Sequence, residues 1–159
     1  MNRRSPSERN NLQFVEAYIH SENEAFVPTA NDQSVLELIA SAMAQHEAVV
    51  FGELSVVVMP SDAHTALNIK YLDHNYPTDV LTFDVSFDTT ISGDVYVNWE
   101  VCIGNAESFG VGVKDELYRL IAHGLLHLAG YDDATDEEKG IMREQEDRYL
   151  RLIQEKGFM

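Results

Sequence analysis

The chain reads as an α+β domain in three layers, a small mixed four-stranded sheet with helices packed over it. Three observations predict this. Short β-branched and aromatic runs cluster ahead of the C-terminal stretches of helical periodicity. One helical stretch separates the first two runs and another separates the second from the third. Finally, 159 residues at 45% hydrophobic content suffice for one core but not for two typical domains, so residues 1–159 are expected to form one.

The residues through about Asn10 are polar and charged and are expected to fray. Leu12–Ile19 alternates as a strand. Asn31 or Asp32 then caps a helix to about Glu47, with Val35, Leu36, Leu38, Ile39 and Met43 at helical spacing. Leu54–Met59, bounded by Gly52 and Pro60, reads as a buried strand. A short helix follows from Ser61 to about Tyr71, with Leu67 and Tyr71 on one side. Tyr76–Asp79 signals a turn, Val80–Phe87 is a third strand, Asp88–Gly93 connects, and Asp94–Val97 is a fourth.

The second half is helical. Trp99–Phe109 turns Val101, Cys102 and Ala106 inward, with Trp99 as a core anchor at the helix end. Gly110–Gly112 leads into a helix from about Lys114 to Leu128, striped by Leu117, Leu120, Ile121, Leu125 and Leu128. Thr135 and Glu138 form a capping box for a last helix to about Gln154, which carries Ile141, Met142, Gln145, Tyr149 and Leu152 or Ile153.

Composition narrows the function. No apolar run approaches bilayer length and the polar start lacks a signal core, so a cytoplasmic protein away from membranes is expected. The single Cys102 cannot form an internal disulfide and is expected to be a small buried apolar residue. A formal charge of −16 argues against a broad basic footprint for nucleic acid.

The most informative stretch is His123-Gly-Leu-Leu-His127-Leu-Ala-Gly130-Tyr-Asp-Asp133. Histidines four apart on a helix lie on one face and can reach one ion. Gly130 stands where a left-handed helix cap would turn the chain back and bring Asp132 or Asp133 beneath the helix end. Three protein ligands with a place left for water describe a catalytic zinc site. Zinc peptidases carry a glutamate base after the first histidine, whereas this chain has Gly124.

This stretch resembles the signature of the YbeY family, bacterial metal-dependent single-strand endoribonucleases, with Asp133 where the family has a third histidine. Pro77-Thr-Asp-Val-Leu-Thr-Phe83 resembles the family's P-T-D-V-L-S-F segment, and Gly93-Asp94-Val its G-D-I segment. The resemblance implies a four-stranded sheet with a metal cleft between the motif helix and the sheet. It also implies endoribonuclease action in 16S ribosomal RNA maturation and ribosome quality control. One divalent ion, zinc foremost, would be held by His123, His127 and Asp133, and these with Asp94 make the expected catalytic set. The expected partners are single-stranded ribosomal RNA and ribosomal particles or proteins, with no DNA.

Some assignments stay open at this level. Thr78 and Asp79 either make a turn hydrogen bond or line the cleft, and Asp94 either ends a strand or orients a ligand histidine. Leu72 falls where the family has a phosphate-meeting arginine, so His74, Lys70 or Arg143 would have to serve; by default Arg143 pairs with Glu146 or Asp147. Two other functions compete with the nuclease: a ribosome-assembly binding protein stapled by a structural metal, and a metallopeptidase.

Overall fold

The computed structural model describes residues 16–159. The expected frayed start, and the first strand before residue 16, lie outside them. The described elements run β1 (Glu16–Ser21), α1 (Ala30–Glu47), β2 (Val50–Met59), α2 (Ser61–Leu72), β3 (Val80–Asp84), β4 (Thr90–Asn98), α3 (Trp99–Phe109), α4 (Val113–Leu128) and α5 (Asp136–Glu155).

The sheet order is β1-β2-β4-β3. β1 and β2 pair in parallel, as do β2 and β4, while β3 lies antiparallel to β4 on the edge. This is the mixed four-stranded sheet of an α+β fold, as expected. Side chains alternate across each strand, so Ala17, Ile19, Leu54, Val56, Val95 and Val97 share one face, and all are buried. α1 packs on this face over β1 and β2, and α4 over β4 and β3; α5 lies against both helices. The opposite face carries Phe83 and Tyr96, edge to face at 5.6 Å, with Tyr71 of α2 against Phe83 at 5.3 Å.

Several boundaries differ from the sequence reading for local reasons. The cap of α1 is Thr29, not Asn31 or Asp32: its hydroxyl accepts from Asp32 N while its own N–H donates to the Asp32 carboxylate at 2.9 Å. β2 starts at Val50 because Val50 and Phe51 pair with Thr90 and Ile91 across a register shift, and the same pairing extends β4 backward to Thr90. β3 stops at Asp84, whose carboxylate accepts from Ser86 N and bends the chain; Phe87 makes only an isolated bridge and is 86% exposed.

The approach of α4 to the sheet depends on Gly124. A β-carbon there would stand 2.5 Å from Val95 Cγ1, so a side chain on this residue has no room. The missing peptidase base is therefore a packing requirement of the helix that carries the histidines. Trp99 opens α3 behind Asn98, whose side chain accepts from Val101 N, and its ring packs 4.6 Å from that of Phe26. Cys102 is buried, and burial pushes its thiol up to about 12, as suits an apolar core residue. Among the described residues no helix is long and apolar enough to cross a membrane.

Candidate metal centre

α4 ends in a reverse turn that builds the site. Tyr131 N–H donates to the Leu126 carbonyl and Gly130 N–H to the His127 carbonyl, both at 3.0 Å, with Gly130 at φ 109°. This is a Schellman stop, and it needs the left-handed residue that glycine supplies. The chain then doubles back under the last turn of α4 and delivers Asp133.

His123 and His127 project from one face of α4 with their rings nearly perpendicular, 83° apart. Their Nε2 atoms stand 3.1 Å apart, and Asp133 Oδ2 lies 3.4 Å from each. A tetrahedral ion with ligand bonds of about 2.0–2.1 Å sets its donor atoms about 3.3–3.4 Å apart. The triangle matches that edge length closely. Among the described residues these three form a group that could hold a metal ion; Asp132 is not in it, and Asp133 is the acid placed by the turn.

Protonation supports the same reading. His127 Nδ1 sits 2.9 Å from the Tyr131 carbonyl, and His123 Nδ1 sits 2.8 Å from Glu146 Oε2. A carbonyl or a carboxylate only accepts, so each Nδ1 is the donor and the two Nε2 atoms are left facing one another. Two ring nitrogens 3.1 Å apart need a cation between them, either a proton on one Nε2 or a metal ion. The donor chemistry therefore fits a divalent ion.

Glu146 belongs to a buried chain of charges that the sequence reading missed. Its second oxygen accepts from Arg119 Nη1 at 2.7 Å, and Arg119 also grips Glu116 through two bonds of 2.6 and 2.7 Å. Asn105 of α3 donates to Glu116 at 3.1 Å. Burial pushes the Glu146 carboxyl up, but hydrogen bonds from His123 and Arg119 outweigh it and hold the group below its ordinary value. Burial likewise pulls His123 down, and the Glu146 carboxylate more than reverses this. The signal was present in the sequence: Met142, Glu146, Tyr149 and Ile153 share the buried face of α5, so Glu146 is an acid set within an apolar stripe.

Tyr131 supports His127 in a comparable way. Its carbonyl accepts a hydrogen bond from His127 Nδ1, while its hydroxyl donates to Glu47 at the end of α1 at 2.7 Å.

A cleft opens beside the histidines, lined by Leu72, His74, Thr78 and Asp79 among others. Both readings of Asp79 hold together, since it lines the cleft and its carboxylate accepts from Val80 N at 2.8 Å. Of the three substitutes for the family arginine, His74 reaches the cleft. Lys70 instead lies over the Tyr71 ring and Arg143 over Phe109. Arg143 does not pair with Glu146, which is occupied by Arg119 and His123.

Asp94 is not brought to the site. Its neighbours Val95 and Gly93 face α4, where a β-carbon on Gly93 would meet Leu128 at 2.7 Å, so alternation turns Asp94 to the far face of the sheet. There its charge raises the Tyr96 hydroxyl, after burial, rather than touching a histidine.

The family model described as Endoribonuclease YbeY matches residues 18–154. The chain is 45% identical over 87 residues to the Endoribonuclease YbeY of Chlorobium phaeovibrioides, covering 55% of this chain and 59% of that relative. It is 35% identical over 131 residues to the protein of the same name from Salinibacter ruber, covering 77% and 83%. With that of Flavobacterium johnsoniae it shares 32% identity over 123 residues, covering 77% and 88%. Among solved structures, the solution structure of TM1509 from Thermotoga maritima is similar at a TM-score of 0.52 and 28% identity, covering 84% of this chain and 86% of that one.

Proposed function

Because the chain belongs to the YbeY family, we propose that it is a metal-dependent endoribonuclease that cuts single-stranded RNA in 16S ribosomal RNA maturation and ribosome quality control. The observation that carries this is the convergence of His123 Nε2, His127 Nε2 and Asp133 Oδ2 at the edge lengths of a tetrahedral ion.

His123, His127 and Asp133 would hold one divalent ion, with zinc the best match for two imidazoles and a carboxylate. Such an ion supplies a Lewis acid for the phosphoryl group and lowers the pKa of an attacking water. The protein residues do the orienting. Glu146 and the Tyr131 carbonyl hold the two imidazole rings in the tautomer that leaves Nε2 free. Asp79, close enough to raise His123 electrostatically, brings negative charge to the cleft wall, where it can accept a proton or a ribose hydroxyl.

The metallopeptidase reading loses its base at Gly124 and finds no replacement in Asp94 on the far face. A binding protein with a structural metal is disfavoured because the three donors leave one tetrahedral position for an exchangeable ligand. The partners on this reading are ribosomal RNA and ribosomal particles in the cytoplasm, with neither DNA nor membrane.

The test is cleavage of a labelled single-stranded RNA by the zinc-loaded full chain, with His123→Ala beside it. Zinc-dependent cutting that the variant loses is the expected outcome. A zinc-loaded protein that binds ribosomal particles but leaves the RNA intact would overturn the proposal.

A further inference from the structure

The rings of His74 and Tyr76 lie stacked, 18° from parallel with centroids 5.2 Å apart. Both line the cleft that His123, His127 and Asp133 also line. Tyr76 is 53% exposed, so the pair is not part of the core.

The stack is held in place from below by Asn68 of α2, which is 1% exposed. Asn68 accepts at its carbonyl from His74 N–H at 3.2 Å, and its side-chain amide donates to the Tyr76 carbonyl at 3.0 Å. Between them Asp73 takes the left-handed conformation, φ 56°, that turns the chain off the end of α2. One buried residue thus ties both ends of the stacked segment to the helix, the His74 end through its backbone carbonyl and the Tyr76 end through its side chain. Two flat rings held this way lose little freedom when a third ring is added to the stack.

The same stretch presents Leu72, 46% exposed, so this wall of the cleft carries no guanidinium for a phosphate. The chain as a whole bears a formal charge of −16. Long-range attraction of a polyanion is therefore poor, and a strand must be retained by contacts that do not depend on basic charge.

We propose that His74 and Tyr76 form a stacking platform for one unpaired base of the strand whose phosphodiester lies at the metal centre, an inference that rests on the endoribonuclease reading above. An unpaired base can leave its neighbours and lay a π face on an aromatic side chain, whereas a base within a duplex has both faces covered. The platform thus gives a physical origin for a single-strand preference in a protein with little positive charge. It tolerates any base, because every base has a π face. Its contribution also changes little with salt, in contrast to lysine or arginine contacts with phosphate.

The experiment uses the full chain in two states: stripped by chelator for equilibrium binding by fluorescence anisotropy, and loaded with zinc for cleavage. The probe is a labelled single-stranded RNA oligonucleotide, alone or with one abasic nucleotide moved along it position by position. Tyr76→Ala is expected to weaken binding roughly tenfold and raise KM with kcat kept, while Tyr76→Phe behaves as the parent protein. One abasic position should weaken binding to the parent by a similar factor and cost Tyr76→Ala nothing further. Circular dichroism checks that these exposed substitutions leave the fold intact.

If the parent protein binds and cuts RNA and Tyr76→Ala matches it, the platform is overturned and the nuclease reading stands. Losses from the variant and the abasic site that simply multiply would overturn it too. A parent chain that neither binds nor cuts single-stranded RNA removes the nuclease reading, and the platform with it.

Discussion

Glu146 Oε2 accepts the Nδ1 proton of His123 at 2.8 Å, while Glu146 Oε1 accepts from Arg119 at 2.7 Å. One carboxylate of the last helix therefore sets the ring orientation of a candidate ligand on the neighbouring helix and, with Glu116, holds the partly buried Arg119 guanidinium. Replacing Glu146 separates the two roles. Glu146→Gln keeps the shape but weakens acceptance from His123, and zinc affinity should fall on the order of 10–100-fold with the fold retained. Competition against a chromophoric chelator reads this. Glu146→Ala also removes one of the two carboxylates on Arg119, which keeps its two bonds to Glu116, and should cost about 1–3 kcal/mol in urea unfolding.

Asp133 is placed within ligand distance of both histidines and Asp132 is not. Elemental analysis of protein purified without an affinity tag should find about one zinc per chain in the parent and in Asp132→Asn. In Asp133→Ala and His123→Ala it should be lost. Full zinc in Asp133→Ala would mean that the third ligand is another group.

Gly124→Ala puts a β-carbon against Val95. Alanine is ordinarily the better helix former, so propensity alone predicts stabilisation. Overpacking of the helix–sheet contact should win and destabilise by about 1–3 kcal/mol, seen as a lower urea midpoint at an unchanged m-value.

Asp32 links α1 to α4 through Lys114 Nζ at 2.6 Å and the Tyr118 hydroxyl at 2.7 Å. Burial pushes its carboxyl up, but these bonds and the Thr29 N–H outweigh burial and hold it below its ordinary value. A carboxylate depressed by folding stabilises fully above its unfolded value, near pH 4, and loses that contribution as pH falls through the folded value. Asp32→Asn should therefore be less stable than the parent at pH 7, with the gap closing below about pH 4. Urea midpoints across that range provide the measurement; a constant gap would assign the loss to the helix cap alone.

The elements and the donor triad were legible in the sequence because each rests on local chemistry. Histidine spacing, the Gly130 stop and the Thr135 capping box are all set within a turn or two of chain. What escaped is what depends on contacts between distant elements. Glu146 stands in the apolar stripe of α5, but its pairing with Arg119 and His123 exists only once α4 and α5 are packed together. Asp94 follows a glycine in a motif-like context, yet its placement depends on which sheet face α4 covers, and that follows from Gly124 and Val95 meeting. The His74–Tyr76 stack was hidden although the helix beside it was expected, since the bond from the Asn68 amide to the Tyr76 carbonyl leaves no mark in the residue pattern.

The donor atoms come from a single short stretch, His123 to Asp133, whereas outside support reaches them from Glu146 on α5 and, through the Tyr131 hydroxyl, from Glu47 on α1. Closing so short a loop costs little entropy, so an unfolded or nascent chain can already capture the ion once α4 and its turn form. Metal held by the unfolded chain offsets part of the stabilisation expected from native affinity. A zinc-loaded sample should then melt only modestly above the stripped one, while refolding more quickly from an ensemble in which the α4 turn is already tied.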